Sequence, residues 1–256
     1  MSKWVEVGDR CWVRRYDECD LNVGLVVGTD GALLIDTRAT TEQADELREH
    51  IREVTDAPVR WIVNTHAHFD HVVGNSVFTE ATVYLHENAA AEEDLAGTTF
   101  SVAKVIDLGD RRVELVHLGN AHTSGDTVVV VPDVDVFFLG DLVEESAPPS
   151  YGEDSFPLEW PDTLDRVIGL FSDASKVVPG HGAVVDAEFV RGQADDLGTV
   201  ANTISGLHHG GMSLADALKH TEDWPWSVEK LQDAIKRGYE VLGAPPRPTL
   251  PLLGPG

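Results

Sequence analysis

The run Thr65-His66-Ala67-His68-Phe69-Asp70-His71 sets three histidines and a carboxylate within six residues. It directly follows the apolar segment Val59-Arg60-Trp61-Ile62-Val63. Imidazole and carboxylate are donors that suit zinc and its neighbours in the first transition row. In extended chain, residues two apart point to the same side, so His66 and His68 can grip one ion together. Asp70 and His71, where the chain turns, can face a second. Two ions held close together turn water into a nucleophile at neutral pH.

Three further apolar runs lead into a residue able to bind metal. His122 lies in a loop after Leu118-Gly119-Asn120-Ala121, between two expected strands. Asp141 stands at the end of the very apolar strand Val136-Phe137-Phe138-Leu139-Gly140. His181 follows Val177-Val178-Pro179 and sits between Gly180 and Gly182, where glycine lets the backbone pass close to a site. Donors at strand ends and on adjoining loops stand on a rigid base, which suits a preorganised centre.

The elements that must position them follow from periodicity. Residues 10–16, 22–27 and 32–35 read as strands, with Gly28-Thr29-Asp30-Gly31 as a hairpin turn. Residues 41–54 have helical spacing, with Ala44, Leu47, Ile51 and Val54 on one face and Thr40 or Thr41 as cap. Residues 59–63 form a buried strand leading into the histidine run, and a short helix is expected over 72–78. A strand over 82–85 and a helix over 87–95 follow, then strands over 102–108, 111–118, 126–131 and 134–139. A helix over 159–171, a strand over 176–178 and helices near 187–208, 213–219 and 227–242 complete the pattern. Two sheets packed face to face between outer helices would accommodate this order, although periodicity alone does not decide it.

These motifs together resemble the metallo-β-lactamase fold superfamily. The resemblance rests on the H-x-H-x-D-H run, the later loop histidine, the strand-end aspartate and the G-H-G histidine. Leu34-Ile35-Asp36-Thr37 matches a further strand-end aspartate near the N-terminus, so the likeness spans residues 22–182. It implies an α/β fold: a four-layer αββα sandwich of two mixed sheets between outer helices, with a helical C-terminal extension. Residues 1–186 would form the metal-binding domain, 187–243 the extension packed on it, and 244–256 an irregular tail.

Carried over by position, the resemblance implies two Zn²⁺, with iron or manganese as alternatives. His66, His68 and His122 would hold one metal; Asp70, His71 and His181 the other; Asp141 would bridge them. Asp36 would be a buried carboxylate that orders the histidine loop. Asp70 and Asp141 would be the catalytic carboxylates around a shared hydroxide that attacks a carbonyl. The strand-end Asp141 resembles thioesterases of the glyoxalase II type and lactonases more than true β-lactamases of this fold. No basic cluster for a glutathione carboxylate stands out, since Lys219, Lys230, Lys236 and Arg237 are scattered among acids. The expected activity is hydrolysis of a small-molecule thioester, ester or lactone. A β-lactam hydrolase and an iron-dependent persulfide dioxygenase are the alternatives on the same scaffold, which hosts many reactions.

Composition narrows the partners. A formal net charge of −25 disfavours nucleic acid, whose phosphates need clustered Lys and Arg. No stretch of 18 apolar residues exists, so no membrane span is expected. The first nine residues lack the apolar core of a secretory signal, and the two cysteines, Cys11 and Cys19, form no disulfide framework. Both observations point to a cytoplasmic protein. Oligomeric state is left open. Tyr151, Phe156 and Trp160 follow Asp141 in a long loop, expected either as a substrate lid or as packing. Trp224-Pro225-Trp226 reads as a plug between helices. His50, His86, His117, His208, His209 and His220 lack a donor pattern and read as surface or packing residues, with His208-His209 at a helix end.

Overall fold

A computed structural model describes residues 3–243. The chain opens as a meander in which β1 (Val5–Gly8), β2 (Cys11–Arg15), β3 (Asn22–Gly28) and β4 (Gly31–Ile35) pair antiparallel in order. Helix α1 (Thr41–Ile51) then crosses over to β5 (Val59–Val63), which lies parallel to β4. A short helix α2 (Phe69–Val72) and a 3₁₀ turn lead to β6 (Thr82–His86), and α3 (Glu87–Glu92) leads to β7 (Thr98–Phe100). Both strands add parallel, completing a seven-stranded sheet. The second, six-stranded sheet begins as another meander of β8 (Ala103–Asp107), β9 (Arg112–Val116), β10 (Val128–Val131) and β11 (Val136–Glu144). Helix α4 (Trp160–Ile168) returns the chain to β12 (Lys176–His181), parallel to β11, with β13 (Val185–Asp186) at the edge. Helices α5 (Ala187–His209), α6 (Leu214–Ala217) and α7 (Val228–Leu242) follow.

Alternation along the strands builds the layers. Leu33 and Ile35 of β4 and Val26 of β3 face inward, against Ile106, Val113, Leu115, Val129 and Phe138 of the other sheet. Their neighbours Ala32, Leu34 and Leu25 face outward and meet Ala44, Leu47 and Ile51 of α1. On the second sheet, Val128, Val130, Phe137 and Leu139 face outward against Leu164 and Val167 of α4, Leu197 of α5 and Leu231 of α7. The strands are therefore covered on both faces, which explains why β10 and β11 read as unbroken apolar runs. The result is the expected sandwich of two mixed sheets between helical layers, with the C-terminal helices on the second sheet. Among the described residues no helix is long and apolar enough to cross a membrane.

Local chemistry sets the ends of these elements. The Thr40 hydroxyl accepts from the Gln43 amide at 3.2 Å and caps α1. Pro161 occupies the first turn of α4, where its missing N–H costs nothing. Helix α5 ends at His209 with Gly210 after it, and His208 Nε2–H donates to the Gly243 carbonyl at 2.9 Å.

The structure departs from the sequence reading in three places. Strands β1, β7 and β13 were not apparent in the pattern, because they are short edge or near-edge segments with little periodicity. The helix expected over 72–78 instead begins at Phe69, so Asp70 and His71 lie inside its first turn. Asp141 does not end its strand: β11 runs on to Glu144 through an irregular register against β12 around Gly140. The expected tail over 244–256 lies outside the described residues.

Leu115 is fully buried between the sheets. Leu115→Ala is expected to cost about 2–5 kcal/mol by lost burial and the cavity left behind. Urea denaturation with an unchanged m-value checks this, and a loss below about 1 kcal/mol would show that the interface is loosely packed.

Candidate metal centre

Asp36 closes β4 in a left-handed conformation, with φ of 64°. There its buried carboxylate accepts from the Thr65 amide at 2.9 Å, the Thr65 hydroxyl at 2.8 Å and His71 Nδ1–H at 2.8 Å. One side chain at the end of β4 thus fixes the exit of the neighbouring strand β5 and the far end of the histidine run. Asn64 adds a bond to the His71 carbonyl at 3.0 Å. The second sheet closes on the same place. The Thr127 amide donates to the Thr65 carbonyl at 2.7 Å. Asn22 Nδ2 donates to the Pro179 and Gly182 carbonyls at 3.0 and 2.8 Å, tying the His181 segment to the first sheet.

All seven residues expected as metal donors converge here. The donor atoms of His66, His68, His122 and Asp141 lie within 4.8 Å of one another, as do those of Asp70, His71 and His181. Asp141 faces both groups. Its Oδ2 stands 3.7 Å from His66 Nε2, 3.5 Å from His122 Nε2 and 3.2 Å from His181 Nε2. Its Oδ1 stands 3.3 Å from His71 Nε2. Asp70 Oδ2 lies 3.7 Å from His71 Nε2 and 3.6 Å from His181 Nε2. Gly180 makes this approach possible, since a Cβ there would stand 1.9 Å from Asp141 Oδ1.

Each imidazole is held by its outer nitrogen. Nδ1 of His66 lies 3.1 Å from the Thr65 hydroxyl, that of His122 lies 3.0 Å from the Ser150 carbonyl, and that of His181 lies 2.6 Å from the Cys19 carbonyl. Such a partner places the proton on the outer nitrogen and leaves a lone pair facing inward. His68 is turned the other way. Its Nε2 meets Asp154 at 2.9 Å and its Nδ1 faces His122 Nε2 at 2.9 Å.

The donor set fits divalent cations. His66 Nε2, His71 Nε2 and Asp141 Oδ1 are buried with no hydrogen-bond partner among the described residues. Leaving such groups unpaired costs free energy. Ligands about 2.1 Å from a tetrahedral ion stand roughly 3.4 Å apart, close to the 3.2–3.7 Å separations around Asp141. The chemistry of the set, imidazole with carboxylate, suits zinc and first-row neighbours.

Without a cation, protons must balance the carboxylates. Burial pulls the His66 and His122 rings down, His122 to about 4. Burial acts on His71 too, but Asp141 and Asp36 outweigh it and hold that ring well above its ordinary value. At His181 burial is outweighed by the bond and charge of Asp141, and the ring rises to about 9. Burial would raise Asp141, yet the charges on His71 and His66 and the His181 bond hold it well below the usual carboxylate range.

Several contributors were not visible in the sequence reading. Asp154 sits in an irregular acidic loop with no periodicity to mark it. Asp126 accepts from the Thr123 amide at 2.9 Å and hydroxyl at 2.8 Å, and so shapes the His122 loop. A Thr-x-x-Asp spacing at a turn is the signal that could have found it. The substrate-lid alternative for the aromatic loop is corrected at two positions. Tyr151 and Trp160, the first residue of α4, are buried in the core that α4 and α5 share, with ring centroids 5.1 Å apart. Trp160 Nε1 donates to the Leu142 carbonyl at 3.2 Å. Their large apolar area and the Trp N–H find partners inside, so neither forms part of an exposed lid. Phe156 remains half-buried beneath Arg237. Trp224 and Trp226 pack against the same core as expected. Outside the centre, His86 is buried and stacks on His117 at 3.9 Å, and neither belongs to a donor group among the described residues.

Comparison with known proteins agrees with this geometry. Residues 16–181 match the family model described as the Metallo-beta-lactamase superfamily. The metallo-beta-lactamase type 2 of Bacillus cereus is 28% identical over 174 residues, covering 64% of this chain and 68% of that protein. That of Bacteroides fragilis is 26% identical over 175 residues, covering 65% and 70%. The solved metallo-beta-lactamase from Pontibacter korlensis superposes with a TM-score of 0.67 at 25% identity, over 77% of this chain and 99% of its own.

Two outcomes are expected. Asp36→Ala should weaken Zn²⁺ binding by about 10–100-fold in chelator competition, because the histidine run loses its orienting partner; unchanged affinity would show that the run orders itself. Metal uptake should also release protons at pH 7, since His71 and His181 are held protonated above neutrality without metal and must be neutral to bind. Affinity should therefore climb with pH through about 9, where His181 is half deprotonated. A pH-indicator titration in weak buffer that detects no proton release would contradict this.

Proposed function

The chain belongs to the metallo-beta-lactamase superfamily, and from that premise we propose that it is a two-metal hydrolase of a small-molecule thioester, ester or lactone. The observation that carries the reading is Asp141, a buried carboxylate facing four imidazoles drawn from both donor groups. Two Zn²⁺ held by those groups would supply an acidified water and a Lewis acid for the scissile carbonyl.

The chain's own residues do the rest. His66, His68 and His122 are the proposed donors of one group, with Asp70, His71 and His181 those of the other, and Asp141 between. Asp36 keeps His71 in the required tautomer. Asp70, beside His71 and His181, is placed to hold the proton of the attacking water. An open cavity of about 750 Å³ adjoins His68 and is lined by Phe69, Val73, Phe78, Val83 and Leu95. Its size suits a small organic molecule with an apolar part. The net charge of −25 argues against a nucleic-acid substrate. Two free cysteines, one buried and one exposed, are compatible with the proposed cytoplasmic location.

A second reading, β-lactam hydrolysis, is favoured by the names of the curated relatives at 26–28% identity. A panel of thioesters, esters, lactones and β-lactams assayed on one metal-quantified sample separates the two. Activity confined to β-lactams would replace the first reading. About one iron per chain with oxygen uptake on a persulfide would replace both.

Asp141→Asn is expected to reduce kcat/KM by more than the roughly 10–100-fold that loss of an outer partner costs. Chelation should abolish turnover, and Zn²⁺ should restore it. A His68→Ala variant that keeps full activity on every substrate of the wild type would overturn the proposed site.

A further inference from the structure

We propose that Asp154 is a positioning residue for the three-histidine group, and that the connection carrying it clamps that group alone. This rests on the reading of His68 as a metal donor. His68 is the most exposed imidazole of the centre, with 32% of its side chain accessible. It presents Nδ1 inward, toward His122. Its outer Nε2 has one partner, Asp154 Oδ2 at 2.9 Å, from 86 residues along the chain. A carboxylate there holds the proton on Nε2 and leaves the Nδ1 lone pair for a cation.

The connection is built to hold that carboxylate in place. The Ser155 amide and hydroxyl both donate to the Gly152 carbonyl, at 3.2 and 2.8 Å, closing a tight turn around Asp154. A side chain at Gly152 would collide with Asp154, its Cβ falling 2.4 Å from Oδ1. The Phe156 amide donates to the Ala121 carbonyl at 2.8 Å, which joins the turn to the loop bearing His122. The Ser150 carbonyl receives His122 Nδ1 at 3.0 Å. Residues 150–156 therefore hold the outer nitrogens of two donors of one group. The other group relies on Asp36 and the Cys19 carbonyl, which belong to the first sheet side.

Helix α7 braces the clamp from behind. Arg237 Nε donates to the Ser155 carbonyl at 3.3 Å, and its guanidinium lies over Phe156 at 5.9 Å. The C-terminal helices thereby reach the centre through one turn of chain, without supplying a donor themselves.

The test is Zn²⁺ binding by full-length wild-type, Asp154→Ala and Asp154→Asn proteins, read as two dissociation constants by chelator competition. Cobalt(II) spectra monitor the geometry of each site. Asp154→Ala should weaken one equivalent by about 10–100-fold and leave the other at its wild-type value. Asp154→Asn keeps an acceptor oxygen and should recover part of the loss. Arg237→Ala should weaken the same equivalent, by less. Wild-type affinity at both sites in Asp154→Ala, or equal weakening of both, overturns the proposal. Should Asp154→Ala not fold, Asp154→Asn against Arg237→Ala carries the same comparison, with equal effects on both equivalents as the refuting result. A wild-type protein that takes up no Zn²⁺ overturns instead the reading of the centre as a metal site.

Discussion

The buried carboxylate of Asp36 is the constraint on which the centre depends. It sits in a strained backbone conformation at the end of β4 and is fully engaged by Thr65 and His71. A buried carboxylate with three donors is tolerated because its charge is met by hydrogen bonds. In exchange it sets the direction of the chain leaving β5. The run 65–71 then has to turn back across the sheet edge, bringing His66 and His71 to ring centroids 4.1 Å apart. Backbone strain at this position is consistent with a local cost maintained by a functional geometry.

The sandwich supplies the second half. Its inner faces interlock across the core, which fixes the relative height of the two sheets. Parallel pairs β4–β5 and β11–β12 then end at the same edge. Asn22 and Thr127 stitch that edge with bonds to the opposite sheet. Asp141 arrives from a strand that is disturbed there: the irregular register near Gly140 lets its side chain enter the space between the sheets. The site is therefore rigid where its donors converge. It is more open at His68, where a surface connection replaces a strand.

Electrostatics gives the arrangement its purpose. Four buried imidazoles around one buried carboxylate, with His66 Nε2 and His71 Nε2 left without a hydrogen-bond partner among the described residues, form a poor arrangement for a metal-free core. Protons on His71 and His181 offset the negative charge in the absence of a cation, and a cation would displace them. The same centre is thus costly when empty of positive charge and well matched to it, which is how a preorganised metal site differs from a packed core.

The sequence by itself determined the candidate donors and most of the elements that carry them. His66, His68, Asp70, His71, His122, Asp141 and His181 were legible because short spacing and apolar runs ending in polar residues are local signals. The hairpin at Gly28–Gly31, helix α1 and strand β5 were legible because their period is local too. Short edge strands were not, since pairing and not pattern defines them. Only the tertiary structure decided that Asp141 faces both donor groups, that Trp160 and Tyr151 are core, and that Asp154 meets His68. Each of those depends on the packing of segments distant in the chain, and the loop around Asp154 carries no periodicity that could announce its partner. Type and spacing can say which side chains are able to bind a metal; the distances between them exist only once the two sheets have closed.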